Sequence, residues 1–165
     1  MLSKKESFIT AIKNNEGIIY KTAALYTHDV HDKNDLVQEI IYQLWKSFDS
    51  FDKRASLSTW MYRVAMNVAV YHLKKSKRKI NTVALDEDFT ATAETDNADL
   101  EEKLQIFKAH VNNLNLLDKG IVMLYLEDKS YEEIAEIIGI SVSNVGTRLM
   151  RIKEKLRSQI TKQIE

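Results

Sequence analysis

The sequence predicts an all-α fold with two helical domains joined by a flexible acidic linker. Helix breakers are scarce, since the 165 residues include no proline and only four glycines, while Leu, Ile, Lys and Glu are abundant. This composition is typical of helical proteins. Apolar residues recur at helical spacing before residue 80 and after residue 98, whereas the segment between them shows no sustained period. We therefore expect domains at residues 1–80 and 99–165, the second with a helix-turn-helix, and the linker at residues 81–98.

The overall composition excludes several classes of protein. Hydrophobic residues make up 44% of the chain and charged residues 29%, which is ordinary for a soluble globular protein. The absence of cysteine excludes a disulfide framework and a thiolate metal site, and it fits a reducing cytoplasm. No apolar run approaches the roughly 20 residues of a membrane span, and the N-terminus lacks the apolar core of a signal peptide. We expect a cytoplasmic protein without direct membrane insertion.

The formal net charge of zero hides a bipolar distribution of charge. The segment 53–80 contains Lys and Arg but no Asp or Glu, and the segment 86–102 contains the reverse. Aromatic residues are interleaved with the basic segment or precede it closely, namely Phe48, Phe51, Trp60, Tyr62 and Tyr71. Because basic side chains bind phosphates and aromatic rings stack on unpaired bases, this pattern is typical of a nucleic-acid surface. A solvated basic helix has the same composition, so both interpretations stay open.

The chain begins with two predicted short helices, at about residues 3–14 and 16–28, whose apolar faces pack on the next part of the chain. The segment His28-Asp-Val-His31 comes after them and holds two imidazoles close to a carboxylate. It lacks an evident third ligand, so a polar turn is a better interpretation than a metal site. We expect neither a metal nor a cofactor.

The third helix is predicted to run from Asp32 or Asn34 to Ser47, with one of the two polar residues as its N-cap. Leu36, Ile40 and their neighbours at helical spacing give it a broad apolar face. Four polar residues lie off that face: Asp35, Gln38, Glu39 and Gln43. Such a set is either plain solvated surface or a docking face for a protein partner.

The fourth helix is predicted to begin near Ser56 or Ser58 and to carry two neighbouring stripes. The stripe expected to be buried consists of Leu57, Trp60, Met61, Val64, Ala65 and Val68. The stripe expected to face outward consists of Arg63, Asn67, Val70 or Tyr71, Lys74 and Arg78. Asn can read adenine and Arg and Lys hold phosphate, so the outward stripe suits DNA.

Helical order returns at Asp99, with Leu100, Leu104, Val111 and Leu114 among the expected packing residues and a break near residues 112–115. Ser130 and Glu133 have the spacing of a capping box, Gly139 can adopt a left-handed turn, and Ser141 can cap the next helix. Before this last helix, Ile134, Ala135 and Ile138 are expected to face inward.

The spacing of Ala135, Gly139 and Val145 predicts a helix-turn-helix. Its second helix buries Val145, Leu149, Ile152 and Leu156 at helical spacing. Six polar residues stay outside this stripe: Ser143, Asn144, Thr147, Arg148, Arg151 and Lys155. A helix-turn-helix places such a face in the major groove of DNA.

Two motifs in the N-terminal half occur in combination, D-L-V-Q-E from residue 35 and S-T-W-M-Y-R-V-A-x-N from residue 58, followed by a basic tail. Together they resemble region two of bacterial sigma factors, and the match is closest to the extracytoplasmic-function (ECF) group. The resemblance covers about residues 5–80. It implies that Asp35, Gln38, Glu39 and Gln43 dock on the clamp helices of core RNA polymerase. It also implies that the residues that bind and open the promoter minus-ten element are Phe51, Lys53, Arg54, Ser58, Thr59, Trp60, Arg63, Asn67, Tyr71, Lys74, Lys75 and Arg78.

The C-terminal half resembles region four of the same family over S-Y-E-E-I-A-E-I-I-G-I-S-V-S-N-V-G-T-R-L-M-R. This implies that Ser143, Asn144, Thr147, Arg148, Arg151 and Lys155 read the minus-thirty-five element of promoter DNA and that the domain sits on the polymerase flap. Gly146 departs from the family, in which many members carry Arg or Lys at this position. The linker between the halves is interpreted as a solvated tether or, by resemblance, as an acidic strand near the path of the RNA.

Three classes of function compete for this sequence. The resemblance implies a non-enzymatic initiation subunit, and ECF factors are commonly held by an anti-sigma factor. The alternative is a stand-alone helix-turn-helix regulator that binds duplex DNA without polymerase, although such a protein needs neither the D-L-V-Q-E surface nor an aromatic basic loop. A hydrolase or nuclease is disfavoured because no histidine has a credible nucleophile or acid partner, so we expect no small-molecule substrate.

Overall fold

The computed structural model describes residues 1–79 and 98–164, except for the side chains of residues 77–79 and 163–164. The described part contains no strand, and the all-α prediction is confirmed. The helices are α1 Lys4–Asn14, α2 Glu16–Tyr26, α3 Val30–Ser47, α4 Leu57–Lys79, α5 Ala98–Asn112, α6 Leu116–Leu126, α7 Tyr131–Ile138 and α8 Val142–Ile164, with a 3₁₀ turn at Phe48–Ser50.

The chain divides into two compact units, Met1–Phe89 and Thr90–Glu165. The predicted linker, apart from its last residue, lies outside the described residues.

In the first unit, α2, α3 and α4 pack against one another around a shared apolar core. Ile19 of α2, Leu36 and Ile40 of α3 and Met61 of α4 are almost completely buried there. The first helix, α1, is attached through Phe8, whose ring meets Trp45 of α3 edge-on at 5.1 Å between centroids. The three-helix core therefore sets the relation between α3 and α4, the two helices that carry the predicted binding surfaces.

The third helix begins earlier than the sequence predicts. It starts at Val30, and Asp29 is its N-cap, with a side-chain oxygen that accepts a hydrogen bond from the Asp32 backbone N–H at 2.7 Å. The expected caps, Asp32 and Asn34, are therefore inside the helix. Several polar residues in a row can each cap a helix, so local sequence does not distinguish between them.

The buried stripe of α4 is rotated relative to the predicted one. Met61, Ala65 and Ala69 are nearly inaccessible, and Tyr62 and Met66 beside them are buried as well. The predicted members Leu57, Trp60, Val64 and Val68 are only half-buried. The reason is that α4 packs against both α2 and α3, so its buried face centres on small residues that allow close approach.

The second unit surrounds α6 with α5, α7 and α8. Helix α6 is buried on almost every side, and Asn115 caps it by accepting a hydrogen bond from the Asp118 backbone N–H. The predicted packing is confirmed at Val111 of α5 and at Leu114 in the turn after it, but the prediction was wrong for Leu100 and Leu104, which are 49% and 44% exposed. Apolar residues at helical spacing thus continue along α5 past the part of the helix that is buried in the second unit.

The turn between α7 and α8 follows the sequence closely. Ser130 and Glu133 form both hydrogen bonds of a capping box, and Gly139 adopts a left-handed φ of 85°. The Ser141 hydroxyl accepts a hydrogen bond from the Asn144 backbone N–H at 3.1 Å. One detail differs, since Ile137 is more buried than Ile138. The predicted buried stripe of α8, from Val145 to Leu156, is confirmed.

Candidate polymerase and nucleic-acid surfaces

The connection between α3 and α4 rests on a cluster of aromatic rings. The Phe51 ring lies 5.3 Å from that of Trp60, and Trp60 meets Phe48 at 6.3 Å. Phe48 in turn meets Phe8 of α1 edge-on at 5.4 Å. Two residues predicted to melt DNA, Phe51 and Trp60, are therefore half-buried members of this cluster.

A salt bridge and a cation–π contact extend the cluster to the start of the chain. The Lys4 ammonium lies 2.7 Å from a carboxylate oxygen of Asp49 and 4.3 Å from the centre of the Trp45 ring. Helix α1, which sequence reasoning treated as plain scaffold, thus holds the segment that leads into the connection.

The residues of the connection that are predicted to contact DNA differ in their exposure. Lys53 is exposed and adopts a left-handed φ of 64°, and the exposed Arg54 guanidinium lies 3.1 Å from Asp52. Ser58 is half-buried, and its hydroxyl lies 3.3 Å from that of Ser56.

Thr59 is the member of this set that does not reach the surface. It is 2% exposed, and its hydroxyl accepts a hydrogen bond from Ser56 at 2.9 Å. A Thr in the first turn of a helix commonly bonds locally instead of facing outward. Its side chain contributes to the start of α4 and not to the outward stripe.

The outward stripe of α4 is exposed as the sequence predicts. Arg63, Asn67, Tyr71, Lys74 and Lys75 are all exposed, and Tyr71 retains 68% of its accessible surface. Arg78 belongs to the helix, but its side chain lies outside the described residues. The stripe thus presents two described cations, one amide and one aromatic ring along a single helix, and the neighbouring Lys75 adds a third cation.

A groove of about 410 Å³ runs between this stripe and α3. Its floor includes Val64 and Val68, and two exposed tyrosines, Tyr42 and Tyr71, stand beside it. The amides of Gln43 and Asn67 and the carboxylate of Glu39 complete the lining. The groove brings residues predicted to dock on polymerase next to residues predicted to bind DNA.

The polar face of α3 contains exposed and internally bonded side chains. Asp35 and Gln38 are exposed, and Asp35 lies 3.5 Å from the His31 imidazole. Gln43 donates to the Ser47 hydroxyl at 2.9 Å, and Glu39 lies 3.1 Å from the imidazole of His72. Half of this face is therefore held in place by neighbouring side chains.

His72 corrects the expectation that no histidine has an acid partner. It is buried, and its two ring nitrogens lie 2.8 Å from Asp32 and 3.1 Å from Glu39. The pair Asp32 and Glu39 is seven residues apart in the sequence, and two other acidic pairs, Glu87/Glu94 and Glu94/Glu101, have the same spacing. Only the packing of α3 on α4 singles it out.

In the second unit, the exposed face of α8 carries most of the predicted duplex-binding residues. Ser143, Asn144, Thr147, Arg151 and Lys155 are exposed. A pocket of about 430 Å³ lies beside them, lined by Asn113, Leu114, Asn115, Asp118, Asn144, Arg148, Arg151, Ile152 and Lys155.

Arg148 differs from the other predicted contacts on α8. Its guanidinium donates to the Asp118 carboxylate of α6 at 3.0 Å, and its Nε is buried without a partner. The prediction of a fully outward Arg148 is therefore corrected, because a carboxylate with little solvent access attracts it toward α6. A charged pair of this kind orients a side chain as well as attaching it.

The remaining features concern metals and membranes. Among the described residues, His, Asp and Glu side chains form no group of three that could hold a metal ion. The His28–His31 segment forms a bend and the first residues of α3. Within residues 1–79 and 98–164, no helix has the length and apolarity needed to cross a membrane.

Two family models match the chain. The Sigma-70 region 2 model matches residues 11–79, which include α3, the aromatic connection and α4. The Sigma-70 region 4 model matches residues 111–156, which include α6, the helix-turn-helix and most of α8. The matched segments coincide with the two candidate surfaces.

Known relatives match nearly the whole length of the chain. The ECF RNA polymerase sigma-E factor of Haemophilus influenzae is 31% identical over 154 residues, which cover 85% of this chain and 82% of that protein. The ECF RNA polymerase sigma factor SigW of Bacillus subtilis is 28% identical, with 94% and 90% covered.

Solved structures share the fold. The sigma factor RpoE of Bartonella quintana, solved with the anti-sigma factor NepR, has a TM-score of 0.74 at 21% identity and covers 95% of this chain and 96% of its own. CnrH, solved with the cytosolic domain of CnrY, has a TM-score of 0.69 at 17% identity, with 96% and 90% covered. Since sequence relatives and both family models agree, the chain belongs to the ECF family of RNA polymerase sigma factors.

Proposed function

We propose that this chain binds core RNA polymerase and directs it to promoters through two separate DNA surfaces. The domains are residues 1–80, the linker 81–98 and residues 99–165. The observation that carries the proposal is the pairing of α3 with α4: a polar face for polymerase lies across one groove from an exposed stripe of cations, Asn67 and Tyr71. One rigid helix pair can therefore hold polymerase and promoter at the same time.

The polymerase surface comprises Asp35, Gln38, Glu39 and Gln43, which bind the clamp helices. Asp35 and Gln38 are open to solvent, whereas Glu39 and Gln43 are oriented by His72 and Ser47. Preorganised side chains lose less entropy when a partner binds. The second domain adds a contact to the polymerase flap.

The minus-ten surface comprises the connection and the outward stripe of α4. Separating promoter strands costs about 1.4 kcal/mol of stacking per step, and an aromatic ring that stacks on a base returns about 1–3 kcal/mol. Tyr71, with most of its surface free, supplies such a ring. Phe51 and Trp60 shape the connection, while Arg63, Lys74 and Lys75 hold phosphates. Melting is driven by binding energy, and the chain itself is not an enzyme.

The minus-thirty-five surface is the exposed face of α8, which enters the major groove. Asn144, Thr147, Arg151 and Lys155 are open to duplex DNA, and Ser143 lies beside them near the start of the helix. Arg148 contributes from its position against Asp118. This division of labour fits a sigma factor better than a stand-alone helix-turn-helix regulator, which has no use for the polar face of α3.

The proposal includes an anti-sigma factor as a further partner and the cytoplasm as the location. Two proteins of the same fold were solved in complexes, the sigma factor RpoE with the anti-sigma factor NepR and CnrH with the cytosolic domain of CnrY. We expect an anti-sigma factor to hold this chain inactive until it is released.

Transcription in vitro tests the proposal directly. Core RNA polymerase is combined with this chain on genomic DNA, and transcript start sites are mapped. We expect a limited set of starts that share minus-ten and minus-thirty-five elements. A variant with Asp35→Ala and Gln38→Ala serves as the matched control, because both side chains are exposed and their loss leaves the DNA surfaces intact. Absence of specific transcripts with the natural chain would contradict the proposal.

A further inference from the structure

The buried ring of His72 bridges two turns of α3. Nε2 lies 2.8 Å from Asp32 Oδ1, and Nδ1 lies 3.1 Å from Glu39 Oε2. The two carboxylates stand seven residues apart on α3, which is about two helical turns. The residue as a whole is 9% exposed, whereas the side chains of Asp32 and Glu39 keep 36% and 48% of their accessible surface, so the ring is shielded from water and the carboxylates are partly hydrated. His72 is thus a cross-link between the two helices that carry the first unit's surfaces.

The geometry identifies the protonation state of the ring. A carboxylate only accepts hydrogen bonds, and a neutral imidazole has a single N–H to donate. Both contacts are hydrogen bonds only when both nitrogens carry protons. Burial opposes the charge, but hydrogen bonds to Asp32 and Glu39 and the fields of both carboxylates outweigh it and raise the pKa of His72 above 6.5.

Other ionisable groups nearby leave this balance unchanged. On α4, Lys74 and Lys75 are exposed. On α2, which also packs against α4, Glu16, Tyr20 and Lys21 are exposed and Tyr26 is buried, and burial raises the pKa of Tyr26 to about 12, so it is neutral. The carboxylates of α3 are the charged groups that act on the ring.

We propose that His72 is a positioning residue: as an imidazolium it fastens α4 to α3 and holds the Glu39 carboxylate at the edge of the polymerase surface. The role in polymerase binding depends on the proposed function of the chain, whereas the charged cross-link does not. Glu39 also lines the groove next to Asn67 and Tyr71. One charged ring therefore adds a polar link between the polymerase surface and the DNA stripe to the apolar core that sets their spacing.

The cross-link makes the stability of the first unit sensitive to a rise in pH. A raised pKa in the folded state means that the stabilisation is fully present below the ordinary pKa of histidine and is lost as the pH rises through the raised value. Deprotonation leaves one ring nitrogen unable to donate, so that one of the two carboxylates faces a nitrogen lone pair instead of an N–H. The helix pair is then held by its apolar core alone.

Nuclear magnetic resonance of the full chain, labelled at histidine, tests the charge. We expect the His72 ring to titrate above the ordinary pKa of histidine and to show two protonated nitrogens at pH values below its midpoint. Asp32→Asn should shift the His72 midpoint downward. A His72 midpoint at or below the ordinary pKa of histidine would overturn the cross-link.

A pH profile tests the positioning role. Binding of core polymerase is measured from mildly acidic to alkaline pH for the natural chain, His72→Gln and the control His28→Gln, and each variant is compared with the natural chain at the same pH. We expect His72→Gln to weaken binding below the His72 midpoint and the difference to shrink toward none above it, whereas His28→Gln matches the natural chain throughout. A pH-independent ratio for His72→Gln would overturn the positioning role. Failure of the natural chain to bind at any pH would contradict the proposed function instead, so the two failures are distinguishable.

Discussion

The outward faces of α4 and α8 both carry arginine and lysine, yet they differ in what stands between the cations. On α4 the exposed Tyr71 lies between Asn67 and Lys74 and borders a groove with a second tyrosine. Helix α8 contains no aromatic residue, and its exposed face offers hydroxyl, amide and guanidinium groups. Ring faces bind unpaired bases, whereas hydrogen-bonding groups read the edges of paired ones. Under the proposed function, similar charge therefore serves opened DNA on one helix and duplex DNA on the other.

The two faces also differ in how they are supported. The connection before α4 stands on a chain of aromatic contacts that begins at Phe8 of α1. The face of α8 is supported by an aliphatic stripe and by the ion pair between Arg148 and Asp118. A substitution in the aromatic contacts before α4 should disturb a large apolar cluster. A substitution in the ion pair between Arg148 and Asp118 should disturb a single polar link. Substitutions in each support, and in the faces themselves, therefore differ in the size of their expected effect.

The largest effect is expected from Phe8→Ala. This ring is 9% exposed and contacts both Trp45 and Phe48, so its removal leaves a cavity and should lower the free energy of unfolding of the first unit by about 3 kcal/mol. Both tryptophans of the chain, Trp45 and Trp60, lie in that unit, and their fluorescence in a urea titration reports on it alone.

Ile9→Ala is the matched control, because Ile9 neighbours Phe8 on α1 but is 40% exposed. It should cost less than about 1 kcal/mol. Equal losses of unfolding free energy in the two variants would show that the aromatic contacts of Phe8 contribute no particular support. A loss of stability in Phe8→Ala should also slow promoter opening, since the connection between α3 and α4 would lose the aromatic contacts that support it.

A smaller effect is expected from Tyr71→Ala. Loss of an exposed stacking ring should weaken binding of single-stranded minus-ten DNA by about 1–3 kcal/mol and leave binding of duplex minus-thirty-five DNA unchanged. Fluorescence anisotropy with the two labelled DNAs measures both constants. Tyr20→Ala removes a ring of similar exposure, 47%, from α2 and should alter neither. A parallel loss on both DNAs would contradict the division between the two helices.

The pair Arg151→Ala and Arg148→Ala separates two kinds of basic residue on α8. Arg151 is exposed, so its loss should weaken duplex binding and reduce the slope of the salt dependence by about 1, without a change in stability. Arg148 is partly buried against Asp118, so its loss should also lower the stability of the second unit by about 1 kcal/mol. Salt titrations of DNA binding and thermal melting followed by circular dichroism distinguish the two outcomes. If both variants lost the same DNA affinity and the same stability, the ion pair with Asp118 would not distinguish Arg148 from Arg151.

Local patterns in the sequence predict some parts of this molecule well. The capping box at Ser130, the left-handed Gly139 and the buried stripe of α8 depend on neighbours within one or two turns, and each is as predicted. The exposed stripe from Arg63 to Lys75 follows from helical period alone. Features that depend on a second helix were missed or misplaced.

The missed features share a physical cause. The link from His72 to Asp32 and Glu39 joins residues 40 and 33 positions apart, and the link from Arg148 to Asp118 joins residues 30 apart. The half-buried state of Trp60 depends on rings from two other elements. Helical period indicates which residues share a face, but the packing partner decides which part of that face is covered.

The smallest effect is expected from Gly146→Ala, and it tests whether the glycine is needed by the fold. Gly146 has a helical backbone, and a Cβ there would lie 3.6 Å from the Tyr131 ring, which is ordinary van der Waals contact. The substitution should therefore raise the stability of α8 by up to about 1 kcal/mol through helix propensity. Gly139→Ala is the contrasting control, because a φ of 85° strains any residue with a Cβ and should cost about 1–2 kcal/mol. Hydrogen exchange of the α8 amides measures both. Slower exchange in Gly146→Ala together with weaker duplex binding would mean that Gly146 allows close approach of DNA to α8. Slower exchange with unchanged duplex binding would mean that the fold tolerates a glycine at this position and that duplex binding does not depend on it.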